Sequence, residues 1–366
     1  MLKPLDSPRD IDRSVSRSWL DDALATLEHE AMSCAETPVH LFPLPPEWNI
    51  DLYVKDESVH PTGSLKHRLA RALISHGLCS GWIGEDTTLV DASSGSTAIS
   101  EAFFARLLNL PFVAVLPRST TAEKIRLIER EGGTCHLVTD PSKVDTEARR
   151  IAGDIGGHYL NQFTYAERAT DWRSENNIAA EIYRQLSGER YPLPEWVVVG
   201  AGTGGTSTTI GRYVRLRHFD TRVLVVDPDH SAFFESWTTG NTDARANGSA
   251  IEGIGRPCWE PSFVLSTVDR MMSVPDASSI AAMRLLRDRT GLVGGGSSGT
   301  ALFGALRLID EMHREGVAGS IVSILCDRGD RYATTCYDDV WVREQGWDIN
   351  TPMARLESFL TTGYWS

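Results

Sequence analysis

Short runs of apolar, β-branched residues alternate with longer amphipathic stretches from about Leu52 onward, and this alternation constrains the fold more than any other feature of the chain. Apolar runs without polar alternation are typical of parallel strands that are covered on both faces. The pattern therefore predicts βα units that build a largely parallel sheet. The strand candidates are residues 52–55, 88–91, 112–116, 136–138, 196–199, 223–227 and 321–326.

Helical periodicity fills the intervals between these runs, and many of the helices open after a Ser, Thr or Asp cap. The helix candidates are residues 65–78, 97–108, 122–131, 174–186, 206–216, 277–288 and 300–312. A chain of 366 residues exceeds a single ordinary domain of about 150 residues. We therefore predict an α/β fold of two parallel-sheet domains, with helices on both faces of each sheet.

Proline and glycine clusters suggest where the chain divides. The proline-rich stretch 37–47 separates a helical leader, 15–32, from the α/β body, and 188–194 splits that body into two halves. Residues 231–261 have little periodicity, which predicts a long loop or lid. We therefore predict four segments: a leader over 1–48, an N-terminal α/β domain over 49–187, a C-terminal α/β domain over 188–345 and a tail over 346–366. The active site is predicted in the cleft between the two domains.

The charge balance disfavours a nucleic-acid partner. The chain has 49 acidic and 36 basic residues, a net charge of -13, and no block of Lys or Arg that could follow a phosphate backbone. Neither a secretory signal at residues 1–20 nor a membrane-spanning apolar run of about 20 residues is present. We expect a soluble cytoplasmic protein without a membrane partner.

Six cysteines are spread widely along the chain, and their spacing matches neither a disulfide framework nor a metal site. The two nearest, Cys326 and Cys336, are ten residues apart. Buried free cysteines usually serve as small apolar residues of the core. We therefore expect reduced thiols and no bound metal.

Residues 197–206, Val-Val-Val-Gly-Ala-Gly-Thr-Gly-Gly-Thr, form an apolar strand, a glycine turn and the start of a helix. Converging backbone N–H groups and the positive end of a helix dipole can bind a phosphate there without a lysine. The same letters match the dinucleotide fingerprint through Gly200, Gly202 and Gly205, with Asp227 placed as the ribose acid. A cofactor phosphate, a dinucleotide and a tight turn without any ligand all remain open at this point.

Lys66 lies in the first turn of the helix predicted over 65–78, directly after a Pro-Thr-Gly-Ser turn. The helix dipole disfavours a second positive charge at this position. An electropositive, partly desolvated site lowers the pKa of an amine, which suits a lysine that forms a Schiff base. The alternative is an ordinary surface lysine, because His67, Arg68 and Arg71 make this helix basic.

Two further loops carry hydroxyl groups beside glycine. Ser93-Ser94-Gly95-Ser96-Thr97 links a strand to a helix and can bind a carboxylate. Residues 294–300, Gly-Gly-Gly-Ser-Ser-Gly-Thr, contain the Gly-x-Ser-x-Gly signature of serine hydrolases. The only later histidine, His313, shares a predicted helix with Asp310, so a hydrolase triad reaching Ser297 is excluded.

In this order and at these separations, the four segments resemble the fold-type II pyridoxal-phosphate enzymes of the cysteine synthase and cystathionine β-synthase family over most of 37–332. The resemblance implies a tryptophan synthase β-like fold and pyridoxal 5'-phosphate as cofactor. It implies that Lys66 is the catalytic residue and forms an imine with the cofactor. The implied cofactor-binding residues are Lys66, Ser96, Gly202, Thr203, Gly204, Gly205, Thr206 and Ser297, and the implied substrate-binding residues are Ser93, Ser94, Gly95, Thr97, Gln162 and Gly253.

One position departs from the family pattern. Ser96 stands where the family usually has an asparagine that hydrogen-bonds the phenolic oxygen of the cofactor. The shorter side chain is expected to reach that oxygen through water. Ser297 resembles the serine beside the pyridine nitrogen, and a neutral hydroxyl there favours prompt loss of a β-leaving group.

Residues 57–71 and 163–172 most resemble the bacterial L-cysteine desulfhydrases of this family. We therefore predict a lyase that converts L-cysteine into sulfide, pyruvate and ammonia, and the resemblance implies a homodimer. The first alternative within the family is cysteine synthase-type β-replacement on O-acetylserine with sulfide. The second is the dehydration of serine or threonine. A nicotinamide-dependent dehydrogenase is the alternative from another enzyme class. A pyridoxal-binding protein without catalytic activity is the non-enzymatic alternative.

Overall fold

The computed structural model describes residues 17–34 and 36–365. Their ten strands, numbered along the chain, are β1 (Val39–Phe42), β2 (Ile50–Asp56), β3 (Leu89–Ala92), β4 (Phe112–Pro117), β5 (Thr134–Val138), β6 (His158–Tyr159), β7 (Trp196–Gly200), β8 (Arg222–Pro228), β9 (Arg270–Val274) and β10 (Gly319–Leu325). None of the described helices is long and apolar enough to cross a membrane.

The α-helices of the described residues alternate with these strands through most of the chain. They are α1 (Arg17–Ser33), α2 (Lys66–Cys79), α3 (Ser96–Leu107), α4 (Ala122–Arg130), α5 (Val144–Asp154), α6 (Gln162–Ala169), α7 (Ile178–Leu186), α8 (Gly205–Leu216), α9 (Phe233–Thr239), α10 (Asp276–Thr290), α11 (Gly296–Glu315), α12 (Asp339–Glu344) and α13 (Asn350–Thr362).

The chain forms two compact units, each with its own sheet. Among the described residues, the smaller unit comprises 17–34 and 73–160, and the larger unit comprises 36–72 and 161–365. Strands with helices on both faces agree with the predicted fold class. The division of the sequence at 48, 187 and 345 stays a prediction.

In the larger unit, six strands lie in the order β1-β2-β10-β7-β8-β9. Only β1 is antiparallel to its neighbour, and Ile321 of β10 lies opposite both Leu52 and Trp196. Helices α10, α11 and α13 cover one face over a core that includes Leu302 and Leu306. Helices α7 and α8 cover the other face, so the central strands β7, β8 and β10 are buried along nearly their whole length.

The smaller unit has four parallel strands in the order β5-β4-β3-β6. Helix α5 packs against β3 and β4 and contributes the fully or nearly buried Ala148 and Ala152 to a core with Val90 and Val115. Helices α3 and α4 pack beside the strands β4 and β5. This unit therefore repeats the βα pattern that the sequence predicts.

Several elements differ from the sequence-based expectation. Strands β1, β6 and β9 and helices α5, α6, α9, α12 and α13 were not predicted, and α9 lies within the stretch expected to be a long loop. Helix α7 begins at Ile178 rather than 174, because the side chain of Asn177 accepts the N–H groups of Ala179 and Ala180 and caps the helix there. The leader helix begins at Arg17, and residues 15–16 lie outside the described residues.

The carboxyl ends of parallel strands meet at the same edge of a sheet, where α/β proteins bind their ligands. In the larger unit, β2, β10, β7 and β8 all end at this edge. Strand β10 lies between β2 and β7. The turn that leads to Lys66, the segment after β10 and the glycine loop after β7 are therefore neighbours.

Candidate active site

The turn that leads to Lys66 begins after Asp56, the last residue of β2, and ends at Lys66, the first residue of α2. Asp56 accepts the N–H of Ser58, and Ser64 accepts the N–H of Lys66 at 3.2 Å. Gly63 has a φ of 71°, a left-handed conformation that favours glycine. Lys66 therefore starts its helix from a turn with little conformational freedom.

Lys66 has the electrostatic environment of a reactive amine. The side chain is half-buried, and desolvation by the surrounding protein lowers its pKa, while the charges of Cys326 and Asp327 act in the opposite direction. The start of α2 adds the positive end of a helix dipole. These effects together make the neutral, nucleophilic form of the amine more accessible than in a surface lysine.

The glycine loop after β7 is packed so closely that side chains would not fit. A Cβ atom on Gly202 would lie 2.3 Å from the carbonyl oxygen of Gly253, and one on Gly204 would lie 2.4 Å from Cα of Phe263. Gly204 has a φ of 84° and precedes α8. Thr203 Oγ1 accepts the N–H of Gly205 at 3.2 Å, and Thr206 is half-exposed in the first turn. A bare backbone at a helix start fits the phosphate group of pyridoxal phosphate.

Two further predicted residues belong to this edge of the larger unit. Gly253 lies in the loop that closes on the glycine loop, where the N–H of Gly255 donates to the carbonyl oxygen of Ala201 at 2.8 Å. Gln162 is buried at the first position of α6. Helix α6 packs on the start of α8, since a Cβ atom on Gly205 would lie 3.0 Å from Cβ of Ala166. Gly253 therefore borders the glycine loop, and Gln162 lies about one turn before Ala166, the residue of α6 that packs on Gly205.

Ser297 is the second residue of α11 and is almost fully buried. Burial raises the pKa of the Cys326 thiol to about 12, and the hydroxyl of Ser297 acts on this pKa in the opposite direction. The neighbouring Ser298 accepts the backbone N–H of Cys326 at 2.9 Å. The start of α11 is thus attached to the carboxyl end of β10, and Cys326 is a neutral thiol at neutral pH.

The serine loop, Ser93 to Thr97, belongs to the smaller unit. It links β3 to α3 with Gly95 at the N-cap, and the N–H of Gly95 donates to Ser93 Oγ at 3.4 Å. Ser93, Ser94, Gly95 and Ser96 are half-buried, whereas Thr97 is buried. A helix start with several hydroxyl groups suits a carboxylate, but the role of each loop residue stays a prediction.

A buried ionic network, not predicted from the sequence, anchors the helix of Lys66. Arg68 Nε lies 2.6 Å from Glu57 Oε2, and its Nη2 lies 2.7 Å from Glu181 Oε2. Lys55 Nζ lies 2.9 Å from the same Glu181 oxygen. The hydroxyl of Thr37 donates to Glu57 Oε1 at 2.6 Å. Charged residues beside Lys66 were visible in the sequence, but nothing there indicates that Glu181 completes the network.

Asp227 does not have the environment of a ribose ligand. It is 1% exposed, and its Oδ2 accepts the N–H of Phe234 at 2.8 Å at the start of α9. Burial raises its pKa to about 7. A carboxylate that is enclosed in this way cannot receive a ribose hydroxyl, which removes the main support for a dinucleotide site.

Comparison with known proteins gives concordant findings. The family model described as pyridoxal-phosphate dependent enzyme matches residues 31–327. The chain is 55% identical to the L-cysteine desulfhydrase Cds1 of Mycobacterium tuberculosis (strain ATCC 25177 / H37Ra), over 97% of this chain and 98% of that protein.

Among solved structures, an O-ureido-L-serine synthase superposes with a TM-score of 0.74 at 24% identity, covering 85% of this chain and 95% of the other. An O-acetylserine dependent cystathionine β-synthase from Helicobacter pylori superposes with a TM-score of 0.70 at 26% identity, covering 84% and 97%. The first of these likenesses shows the fold alone.

Proposed function

Because this chain belongs to the family of pyridoxal-phosphate dependent enzymes, we propose that it is a lyase that releases sulfide from L-cysteine. The observation that carries the proposal is the 55% identity to an L-cysteine desulfhydrase over 97% of the chain. The balanced reaction converts L-cysteine and water into hydrogen sulfide, pyruvate and ammonia. Breaking the Cα–H and Cβ–S bonds of the substrate requires a base near Cα and a stabiliser for the negative charge that remains.

Most of the residues that would hold the cofactor belong to the larger unit. Lys66 would hold its aldehyde, and the backbone of residues 202–206 would hold its phosphate. When bound, pyridoxal phosphate supplies an electron sink for the negative charge at Cα. Ser297 offers a neutral hydroxyl for the ring nitrogen. Ser96 is the proposed contact to the phenolic oxygen.

The protein residues then provide orientation and proton transfer. Lys66, as a free amine with a lowered pKa, removes the proton from Cα of the substrate. Ser93, Ser94, Gly95 and Thr97, together with Gln162, would hold the substrate carboxylate, and Gly253 would border the substrate. A lowered pKa increases the neutral fraction of the amine, and only the neutral amine can accept a proton.

Replacement at Cβ is the second candidate function, since it needs the same residues. A solved structure of similar fold at 26% identity is an O-acetylserine dependent enzyme. Elimination and replacement differ only after the leaving group is lost. In elimination the resulting product is hydrolysed by water, and in replacement a second nucleophile attacks it at Cβ. An assay with several substrates therefore distinguishes elimination from replacement.

The assay supplies L-cysteine alone, O-acetylserine with sulfide, and L-serine alone to the pyridoxal-phosphate-loaded protein. We expect sulfide and pyruvate in equal amounts from L-cysteine. Lys66→Ala should abolish this release, whereas Lys143→Ala, which changes a lysine whose side chain is 70% exposed, should not. Cysteine formed from O-acetylserine at a far higher rate than sulfide from L-cysteine would contradict the proposal.

We also propose that the protein acts in the cytoplasm as a homodimer, as is usual in the family that the sequence resembles. The helix α1 and the tail helix α13 are candidates for a subunit contact. Sedimentation of the full chain tests this proposal, with a dimer as the expected species. A monomer at micromolar concentration would contradict it.

A further inference from the structure

Residues 326–331, which we call the clamp segment, follow β10 and pair with the turn that leads into α2. The carbonyl oxygen of Cys326 accepts the N–H of Leu65 at 2.8 Å. Two residues further along, the N–H of Arg328 donates to the carbonyl oxygen of Gly63 at 3.0 Å. Two backbone hydrogen bonds therefore join the clamp segment to the residues that come directly before α2.

The clamp segment is also attached to the turn before α11. The N–H of Gly329 donates to the carbonyl oxygen of Val293 at 2.8 Å. Val293 comes shortly before Ser297, which offers a hydroxyl for the ring nitrogen in the proposed function. The clamp segment therefore lies between the turn of Lys66 and the turn of Ser297, and it is hydrogen-bonded to both.

Two arginine side chains of the clamp segment bind the turn before Lys66. Arg331 Nη2 donates to the carbonyl oxygen of Thr62 at 2.5 Å. Arg328 Nε donates to the carbonyl oxygen of Ser58 at 3.1 Å. Hydrogen bonds from a guanidinium group are charge-assisted, and they are stronger than hydrogen bonds between neutral groups. Both arginines thus hold main-chain oxygens of the turn.

Gly63 allows the two side chains to lie this close to the turn. A Cβ atom on Gly63 would lie 3.2 Å from Nη2 of Arg331 and 3.2 Å from Cδ of Arg328. A side chain at position 63 would therefore press on both arginines. The absence of a side chain at Gly63 lets the arginines reach the carbonyl oxygens on either side of the closest contact.

Thr62 connects Arg331 to the helix of Lys66. Its carbonyl oxygen accepts the hydrogen bond from Arg331, and a second hydrogen bond joins its hydroxyl to Nδ1 of His67 at 3.2 Å. Thr62 is nearly buried and His67 is fully buried. His67 directly follows Lys66 in the first turn of α2. Arg331 is therefore linked to α2 through Thr62 and His67, in addition to the backbone pairing before Lys66.

We propose that Arg331, supported by Arg328, is a positioning residue that fixes the main chain of Lys66 through its hydrogen bond to Thr62. The proposal rests on the proposed function, in which Nζ of Lys66 holds the cofactor and also removes a proton from the substrate. A side chain that serves both purposes needs a main chain that does not shift between them. Misplacement of a reacting group by about 1 Å can lower a rate by about 100-fold.

Arg331→Met tests the proposal, because it keeps a long side chain and removes every hydrogen-bond donor. The circular dichroism of the visible absorption band, divided by the amount of bound cofactor, reports without turnover how rigidly the cofactor is held at Lys66. This signal should weaken in Arg331→Met. The kcat for sulfide release should fall about tenfold or more, since the base is misplaced. The KM for L-cysteine should stay near the wild-type value, because the residues proposed to hold the substrate carboxylate are unchanged.

Arg215→Met is the matched control. Arg215 also donates to a main-chain carbonyl oxygen, that of Ser266 at 2.7 Å, but it does so from the last turn of α8. Its dichroism and kcat should equal those of the wild type. Arg331→Lys retains a charged donor and should recover part of what Arg331→Met loses. Arg328→Met removes the second hydrogen bond from an exposed position and should show a smaller loss in the same direction.

Wild-type dichroism and kcat in Arg331→Met would overturn the proposal, and so would a loss in Arg331→Lys equal to that in Arg331→Met. If Arg331→Met does not fold, Arg328→Met decides, and wild-type values there would contradict the proposal. Failure of the proposed function has another signature. Borohydride reduction of the wild type would then leave no cofactor on Lys66, or the loaded wild type would release no sulfide. In the second case the dichroism alone still tests the role of Arg331.

Discussion

Replacing Glu57 by glutamine removes the charge from a carboxylate that is fully buried beneath the helix of Lys66. Glu57 receives two hydrogen bonds from Arg68, at 2.6 Å and 3.1 Å, and one from Thr37, and His60 Nε2 lies 3.0 Å from it. In Glu57→Gln, the amide would place donor hydrogens against a guanidinium group. The buried arginine would then be only partly compensated, through Glu181.

Breaking a buried ion pair by removing one partner typically costs about 3–5 kcal/mol of unfolding free energy. Because Arg68 retains Glu181, we expect a loss of about 3 kcal/mol, at the lower end of this range. Glu36→Gln is the matched control, since Glu36 pairs with Arg184 and both side chains are 44% exposed. The control should lose no more than about 1 kcal/mol.

The loss of stability in Glu57→Gln also depends on pH. Burial alone would raise the pKa of Glu57, but the charge of Arg68 outweighs it and holds the pKa well below its usual value. A depressed pKa stabilises the fold above the unfolded-state pKa of about 4.3, and this contribution is lost as the pH falls toward the folded-state pKa. The stability difference between wild type and Glu57→Gln should therefore be full at pH 7 and should shrink below about pH 4.

Urea unfolding followed by circular dichroism, with and without added pyridoxal phosphate, measures these differences. A loss in Glu57→Gln no greater than in Glu36→Gln would show that the buried pair of Glu57 and Arg68 stabilises the fold no more than an exposed ion pair does. A difference that grew as the pH was lowered would refute the assigned direction of the pKa shift.

Three further predictions concern single positions. Gly204→Ala should lose affinity for pyridoxal phosphate in an absorbance titration, whereas Gly240→Ala, with a φ of 72° and open space around it, should lose only about 1–2 kcal/mol of stability in urea unfolding. Iodoacetamide at neutral pH should modify the exposed Cys79 well before Cys326, as peptide mass spectrometry would show, because burial raises the pKa of Cys326 to about 12. Asn177→Ala should lose about 1 kcal/mol through its missing helix cap, visible as a lower melting temperature.

The central elements of the fold were predictable because their physical signals are local. Strand β7 is an uninterrupted apolar run, and β10 is apolar except for Ser320 and Ser323; such runs indicate burial on both faces. The start of α8 was predictable because a glycine turn ends the strand before it. In contrast, β6 has only two residues and β9 reads Arg-Met-Met-Ser-Val, so neither has the β-branched composition of a strand.

The residues of the candidate site also differ in whether the sequence could predict them. Lys66 could be predicted because its turn and helix start adjoin in sequence, and the dipole argument needs only neighbouring residues. The pairing of Asp327 with Ser64 could not be predicted, because most of the chain separates the two residues. The insertion of β10 between β2 and β7 brings these residues together, and no local pattern specifies that order.

The proposed function requires that Lys66 is the lysine bonded to pyridoxal phosphate. The chain has five lysines, Lys3, Lys55, Lys66, Lys124 and Lys143. Borohydride reduction of the loaded protein, followed by digestion and mass spectrometry, identifies which of them carries the cofactor. We expect a pyridoxyl adduct on the peptide that contains Lys66. An adduct on the ion-paired Lys55 or on any other lysine, or no adduct at all, would contradict it.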